Sequence, residues 1–254
     1  MTAAPPPELT PEEIRRRVAE YQWYHRLDLA EGVSTPGAYD LRGIIGNYGL
    51  PDDLRGARVL DVGPGHGFFA FEFERRGATV FTAELPHWGE HDVSPQLHEK
   101  FQEFTQAGDV PEAYHRGALG FAIEARRSTV QRHFCNVYDL TPERVGTYDL
   151  VFCASVLLHL TDPLRALYGI RKVCRGQAII STGIETSKKL VGLSLARFVG
   201  QANGQAFWLP TMTCLERMVA AAGFARVQRV ATFPLKSVDG VWTTPHGTVR
   251  AFVS

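Results

Sequence analysis

Val59-Leu60-Asp61-Val62-Gly63-Pro64-Gly65-His66-Gly67 is the stretch on which the fold turns. A short apolar run that stops at glycine reads as a strand buried on both faces, the habit of a parallel sheet. From His66 to Arg76 apolar and charged residues alternate as in an amphipathic helix, closed by Gly77. Glycines let the backbone come close to a ligand, and the first turn of the next helix offers it unpaired N–H groups. Strand, glycine turn and helix together predict the ligand-binding edge of a doubly wound α/β sheet.

Further strands are expected at Ala78 to Ala83, Thr129 to Cys135, Tyr148 to Ser155, Gln177 to Thr182, Phe224 to Ala231 and Thr248 to Val253. Helices are expected from Asp162-Pro163 and over Met212 to Ala222, the latter closed by Gly223. The last two strands have no helix between them, which predicts a hairpin at one edge and an antiparallel final strand. Upstream, Thr10-Pro11-Glu12-Glu13 reads as a capped helix start, and the helix is expected to reach about Tyr24. Trp23 to Gly37 reads as an aromatic-rich loop, and a shorter helix is expected around Tyr39 to Tyr48. Residues 1–56 form an N-terminal helical lid segment on this reading, and residues 57–254 the main domain. The interval 85–128 is too long for a simple crossover. Helical stretches near Leu97 to Gln106 and Pro111 to Arg127 make it a helical insertion after the second strand, a common place for substrate binding.

The chain has 254 residues, 44% hydrophobic and 21% charged, which is the range of a globular domain with a sizeable core. Lys plus Arg equals Asp plus Glu at 27 each, which speaks against a broad basic face for nucleic acid. The cysteines Cys135, Cys153, Cys174 and Cys214 form no CxxC pair and read as buried free thiols of a reducing compartment. No signal peptide is expected in Met1 to Thr10, and no run is long and apolar enough to span a bilayer. A cytoplasmic protein with no membrane partner, monomer or homodimer, is the expectation.

Asp61 stands where it would repel a pyrophosphate but would suit a cationic or zwitterionic ligand. Glu84 ends the second strand, where a carboxylate can accept both hydroxyls of a ribose. Asn136-Val137-Tyr138 follows the third strand, where an amide can meet an adenine amino group while Val137 and Tyr138 flank the ring. Leu85 and Trp88 after the second strand, and Ala154 and Ser155 at the end of the fourth, join Gly63, Pro64, Gly65 and Gly67 as candidate cofactor contacts. His87, Trp88, Glu90, His91 and Asp92 are rich in ligating types but lack the regular spacing of a metal site, so no metal is expected.

Asp61 to Gly67, Glu84, Asn136 and Asp149-Leu150-Val151-Phe152 resemble, in order and spacing, the motifs of class I S-adenosylmethionine-dependent methyltransferases. The resemblance implies a Rossmann-like, seven-stranded, mostly parallel sheet with an antiparallel edge strand. It also implies S-adenosylmethionine as cofactor and S-adenosylhomocysteine as product. A narrower resemblance joins Trp23 to Leu29, Gly32 to Gly37, Val137 to Leu140, Val156 to Pro163 and Trp208-Leu209-Pro210. It is to proteins similar to the tRNA wobble-uridine methyltransferases. Leu158 stands where those enzymes tend to carry a tyrosine, and their lysine-bearing motif ahead of the glycine turn has no match.

The expected acceptor is therefore an oxygen or nitrogen of a small molecule, a specialised metabolite or sugar of natural-product biosynthesis. The wobble uridine of tRNA is the alternative, and a cofactor-binding scaffold without turnover is the reading of another class. His159, at the carboxyl edge after the fourth strand, is the leading candidate base, with His25 second. Trp23, Tyr24, His25 and Trp208 are the candidate substrate contacts.

Overall fold

A computed structural model describes residues 8–85, 88–95, 97–98, 117–201 and 206–254, with Trp88 described by its backbone alone. In chain order the N-terminal elements are helix α1 (Pro11–Val18) and a ribbon of β1 (Asp28–Ala30) and β2 (Val33–Ser34). β3 (Arg58–Val62), α2 (Phe68–Arg75), β4 (Thr79–Glu84), α3 (Ala118–Arg126) and β5 (Gln131–Phe134) follow. Next come α4 (Pro142–Val145), β6 (Tyr148–Ala154), α5 (Pro163–Val173), β7 (Cys174–Gly183) and a second ribbon of β8 (Ala196–Phe198) and β9 (Trp208–Pro210). α6 (Met212–Ala221), β10 (Arg226–Lys236) and β11 (Thr243–Phe252) complete the chain.

Seven strands make one sheet in the order β5-β4-β3-β6-β7-β11-β10. The five from β5 to β7 are parallel, as expected for strands joined by helices. The last two form the expected hairpin, and β11 runs antiparallel both to β7 and to β10. The final strand lies inside the sheet, between β7 and the edge strand β10. Burial explains the order. His246 to Val249 of β11 are buried, whereas Arg226, Gln228, Arg229 and Val230 of β10 face solvent, as an edge strand tolerates.

Four local expectations changed. The loop expected over Trp23 to Gly37 carries the antiparallel β1–β2 ribbon. The first helix carries its capping box, with Thr10 and Glu13 bonding reciprocally, but stops at Val18 rather than near Tyr24. Trp23 folds back, and its indole N–H donates to the Val18 carbonyl at 2.9 Å, satisfying a helix end. Helix α2 starts at Phe68 rather than His66, because Gly67 sits at φ +95° in the left-handed region. The helix expected around Tyr39 to Tyr48 is a 3-10 helix, Arg42–Tyr48, interrupted in propensity by Gly43 and Gly46. Of the insertion after β4, the described residues include α3; the stretch Leu97 to Gln106 lies largely outside them.

Apolar side chains cover both faces of the sheet. On one, Tyr48, Phe69 and Phe152 interleave, with ring centroids 4.6 Å apart for Tyr48–Phe69 and 4.4 Å for Phe69–Phe152. Ile14, Val18, Trp23 and Leu27 belong to this same cluster, so the N-terminal segment is anchored in the domain core. On the other face Leu167 and Ile170 of α5 meet Leu215 and Val219 of α6. No helix of the described residues is long and apolar enough to cross a membrane.

Candidate functional site

The carboxyl ends of β3, β4, β5 and β6 border one cavity of about 460 Å³. Its floor is the glycine turn. Gly63 takes φ +69°, and a Cβ there would stand 2.4 Å from Val156 Cγ2. Gly65 takes φ +55°, and a Cβ there would stand 3.1 Å from the His25 ring. Side chains at either position would strain the backbone and crowd the neighbouring wall, which is the physical reason for glycine here.

Asp61 is the penultimate residue of β3, 2% exposed, on a strand paired with β4 on one side and β6 on the other. Its Oδ2 is buried without a hydrogen-bond partner, on the wall of the cavity. Burial first and the nearby Glu84 charge second push its carboxyl up to about 8, although the Ala70 backbone N–H favours the anion. Glu84, 8% exposed, ends β4 on the same wall. Arg132 of β5 holds it bidentately, Nε to Oε1 and Nη2 to Oε2, each at 2.7 Å. The Thr82 hydroxyl donates to Oε1 at 3.1 Å. A carboxylate so held keeps a fixed orientation yet retains lone pairs for further donors.

Asn136, Val137 and Tyr138 border the cavity after β5. Asn136 Oδ1 also accepts the Tyr138 backbone N–H at 3.1 Å, so the amide caps its own turn while facing the cavity. Leu85, Ala154, Ser155 and His159 line the same space. Tyr24 and His25 close it from the N-terminal side. His66, fully buried, explains their position. Its Nδ1 accepts the Tyr24 backbone N–H at 2.7 Å and so ties the N-terminal segment to the glycine turn.

Three residues expected at the site stand off its wall. Trp23 is 6% exposed and packs edge-on against His66 at 5.4 Å, in the core rather than facing a substrate. Gly67 borders Leu119 and Phe71, where it starts α2. Trp208 borders a second, smaller cavity of about 280 Å³ with Leu157, Pro163 and Met218, and its indole N–H donates to the Thr161 carbonyl at 3.2 Å. The His87 candidate and the Trp88 side chain lie outside the described residues, and no cluster of metal-ligating side chains occurs among those described.

A family model described as a methyltransferase domain matches residues 38–229. The chain belongs to the methyltransferase domain family. It is 28% identical over 182 residues to a tRNA U34 carboxymethyltransferase of Pseudomonas putida (strain W619), covering 70% of this chain and 48% of that one. A tRNA U34 carboxymethyltransferase of Chromohalobacter salexigens is 25% identical over 199 residues, covering 76% and 53%. The chain thus spans about half the length of the curated relatives it matches. Among solved structures, the N-terminal domain of EvdMO1 with S-adenosylhomocysteine bound aligns with a TM-score of 0.62 at 17% identity, covering 97% of this chain and 98% of that one. The likeness shows a shared fold.

Several contacts around this cavity are not legible in the sequence. Tyr48, Phe69, Phe152 and Leu235 line the cavity from four separate elements. Asp92 joins the insertion to the rim. Its Oδ2 accepts from the Tyr138 hydroxyl at 2.5 Å, the Thr161 backbone at 2.6 Å and the Thr161 hydroxyl at 2.7 Å. The Gln201 amide then donates to the Asp92 carbonyl at 3.1 Å. Arg132 carries one weak signal: a basic residue on the strand next to Glu84 can reach it across the ladder.

Proposed function

We propose that this methyltransferase uses S-adenosylmethionine to methylate an oxygen or nitrogen of a small molecule, a specialised metabolite or sugar-like compound of natural-product biosynthesis. One observation carries the reading. The buried, unpartnered Asp61 Oδ2 and the fixed Glu84 carboxylate meet over a glycine turn in a single cavity. That donor set fits the cofactor: Asp61 answers its cationic end, Glu84 its ribose hydroxyls, and Asn136 with Val137 its adenine. When bound, the cofactor supplies an electrophilic methyl group on a sulfonium.

The protein's own work is alignment and proton removal. Gly63 and Gly65 allow close approach, and Tyr24, His25 and the Asp92-anchored segment close the space around it. Excluding water and fixing geometry supply most of what an in-line displacement needs. His25, His91 and His159 are the imidazoles on the wall, and of these His25 and His159 are the candidates to take the acceptor's proton or to hold the acceptor. Trp208, off the main wall, would reach the acceptor only through the second cavity. Two further facts support the small-molecule reading. Acidic and basic residues balance at 27 each. The EvdMO1 domain, which aligns over 97% of this chain, was crystallised in the presence of S-adenosylhomocysteine and D-fucose.

The tRNA reading is favoured by the curated relatives, whose names specify U34 carboxymethyl transfer. Two experiments separate these. Calorimetry with S-adenosylmethionine tests the cofactor, and no heat at millimolar concentration would sink it. Radiolabelled cofactor is then offered with bulk tRNA and, separately, with hydroxylated and aminated metabolites. Label in small molecules alone supports the proposal; label in tRNA alone moves the assignment to RNA. Label in neither, despite cofactor binding, leaves the scaffold reading.

A further inference from the structure

Ser155 is one of three described non-glycine residues with positive φ, at +55°, and of these it alone lines the cavity. Such backbone is disfavoured for a residue with a side chain and persists where the surroundings hold it. It follows β6 directly, and its backbone N–H donates to the Ser181 carbonyl on β7 at 2.9 Å. This turn places the Ser155 hydroxyl 3.0 Å from Nε2 of His246, a residue of β11 that is 2% exposed. The other ring nitrogen, Nδ1, lies 3.0 Å from the Thr244 carbonyl. A carbonyl can only accept, so Nδ1 carries the hydrogen and Nε2 presents its lone pair. The Ser155 hydroxyl therefore donates to His246, and its own lone pairs are left for a group in the cavity.

We propose that Ser155 and His246 form a proton relay for the methyl acceptor, with Ser155 touching the acceptor and His246 acting through it. This rests on the methyl-transfer reading above. As the new bond forms between the methyl carbon and the acceptor's oxygen or nitrogen, the sulfur–methyl bond breaks. The acceptor's proton moves to Ser155 Oγ while the Ser155 proton moves to His246 Nε2. One positive charge leaves sulfur and one appears on the imidazole, where the Thr244 carbonyl stabilises it. The order oxygen, imidazole and fixed acceptor behind the imidazole is the logic by which a weak hydroxyl is made useful in proton transfer.

The surroundings keep His246 neutral and ready to accept. Burial first, and the charge of His159 last, hold its imidazole below the usual histidine value, with the Thr244 carbonyl opposing. Its strand neighbours, Gly183 on β7 and Phe233 on β10, carry no charge. The Phe233 ring lies 6.0 Å from the imidazole, centre to centre. His159 is the titratable group that faces it among the described residues. His159 lines the cavity itself, and on this assignment it holds the acceptor rather than taking the proton.

The test begins with nitrogen NMR of histidine-labelled protein bound to S-adenosylhomocysteine. The expected result is a lone-pair signal at His246 Nε2, a hydrogen on Nδ1, and a shift of Nε2 in Ser155→Ala. An Nε2–H tautomer, or ring signals indifferent to Ser155→Ala, overturns the relay whether or not an acceptor is known. With an acceptor found in the labelled screen, Ser155→Ala and His246→Gln should each lower kcat by about 10²- to 10⁴-fold. The affinity of His246→Gln for S-adenosylhomocysteine should stay at the wild-type level. The acid limb of the wild-type kcat/KM profile should follow the His246 titration seen by NMR and vanish in His246→Gln. Full turnover in His246→Gln, which can still hydrogen-bond Ser155, would reduce His246 to a packing role. Ser155→Gly, which the left-handed backbone accepts freely, guards against a folding defect in Ser155→Ala. A wild-type protein that labels no acceptor counts against the methyl-transfer reading, while the NMR result still decides the pair.

Discussion

On the proposed reading Asp61 should make cofactor binding depend on pH, and the size of the effect follows from its surroundings. Its carboxyl is raised from 3.8 to about 8 in the ligand-free protein. At pH 7 such a group is protonated in about nine molecules of ten. A ligand that needs the anion must displace that proton, so binding at pH 7 should release close to one proton per site. Between pH 8.5 and 6.5 the dissociation constant for S-adenosylhomocysteine should rise by more than tenfold, on the order of 2 kcal/mol. Calorimetry in buffers of different ionisation enthalpy measures both quantities. Asp61→Asn should bind more weakly and lose the proton release, and the ratio of wild type to variant removes the titration of the ligand's own amino group. The same residue sets a stability trend. A carboxyl raised on folding stabilises the protein fully below the unfolded value, near 4, and that contribution is lost as pH rises through about 8. Thermal stability of the ligand-free protein should therefore fall across this window, and less so in Asp61→Asn. An affinity ratio between wild type and Asp61→Asn that stays flat from pH 6.5 to 8.5 would rule Asp61 out as the ligand's anionic partner.

If Glu84 holds the ribose as proposed, Glu84→Gln should raise the calorimetric dissociation constant for S-adenosylhomocysteine by about 10- to 100-fold, because it also weakens the charge-assisted pair with Arg132 that orients it. Phe152→Ala should lower stability in denaturant titration by about 3–5 kcal/mol, since the ring is fully buried against Phe69, Phe73 and Tyr48. His159→Ala should raise KM for the acceptor more than it lowers kcat; a large loss in kcat alone would return the proton to His159.

Much of the cavity was legible because its residues lie in short local patterns. Asp61 and the turn after it are contiguous, and Glu84 is marked by its place at the end of the next strand. Asn136, Ala154, Ser155 and His159 follow the same rule of strand ends. Legibility failed where aromatic character was the sole signal. Trp23 and Trp208 looked like substrate contacts, yet one closes a helix and the other borders a separate cavity. An aromatic side chain suits a core and a binding wall equally, and sequence carries no sign of which it meets.

What the chain's order of residues determined by itself was the sheet: apolar runs ending at glycine, helices between them, and a final hairpin. These depend on periodicity and on backbone freedom, both of which are local properties. Tertiary structure alone decided the electrostatics. Asp61 is raised because burial and Glu84 act on it across a strand pair. Arg132 meets Glu84 across another. Ser155 meets His246 because β11 is threaded between β7 and β10, bringing together residues 91 positions apart. Charge interactions and proton paths depend on distance in space, and only folding sets that distance.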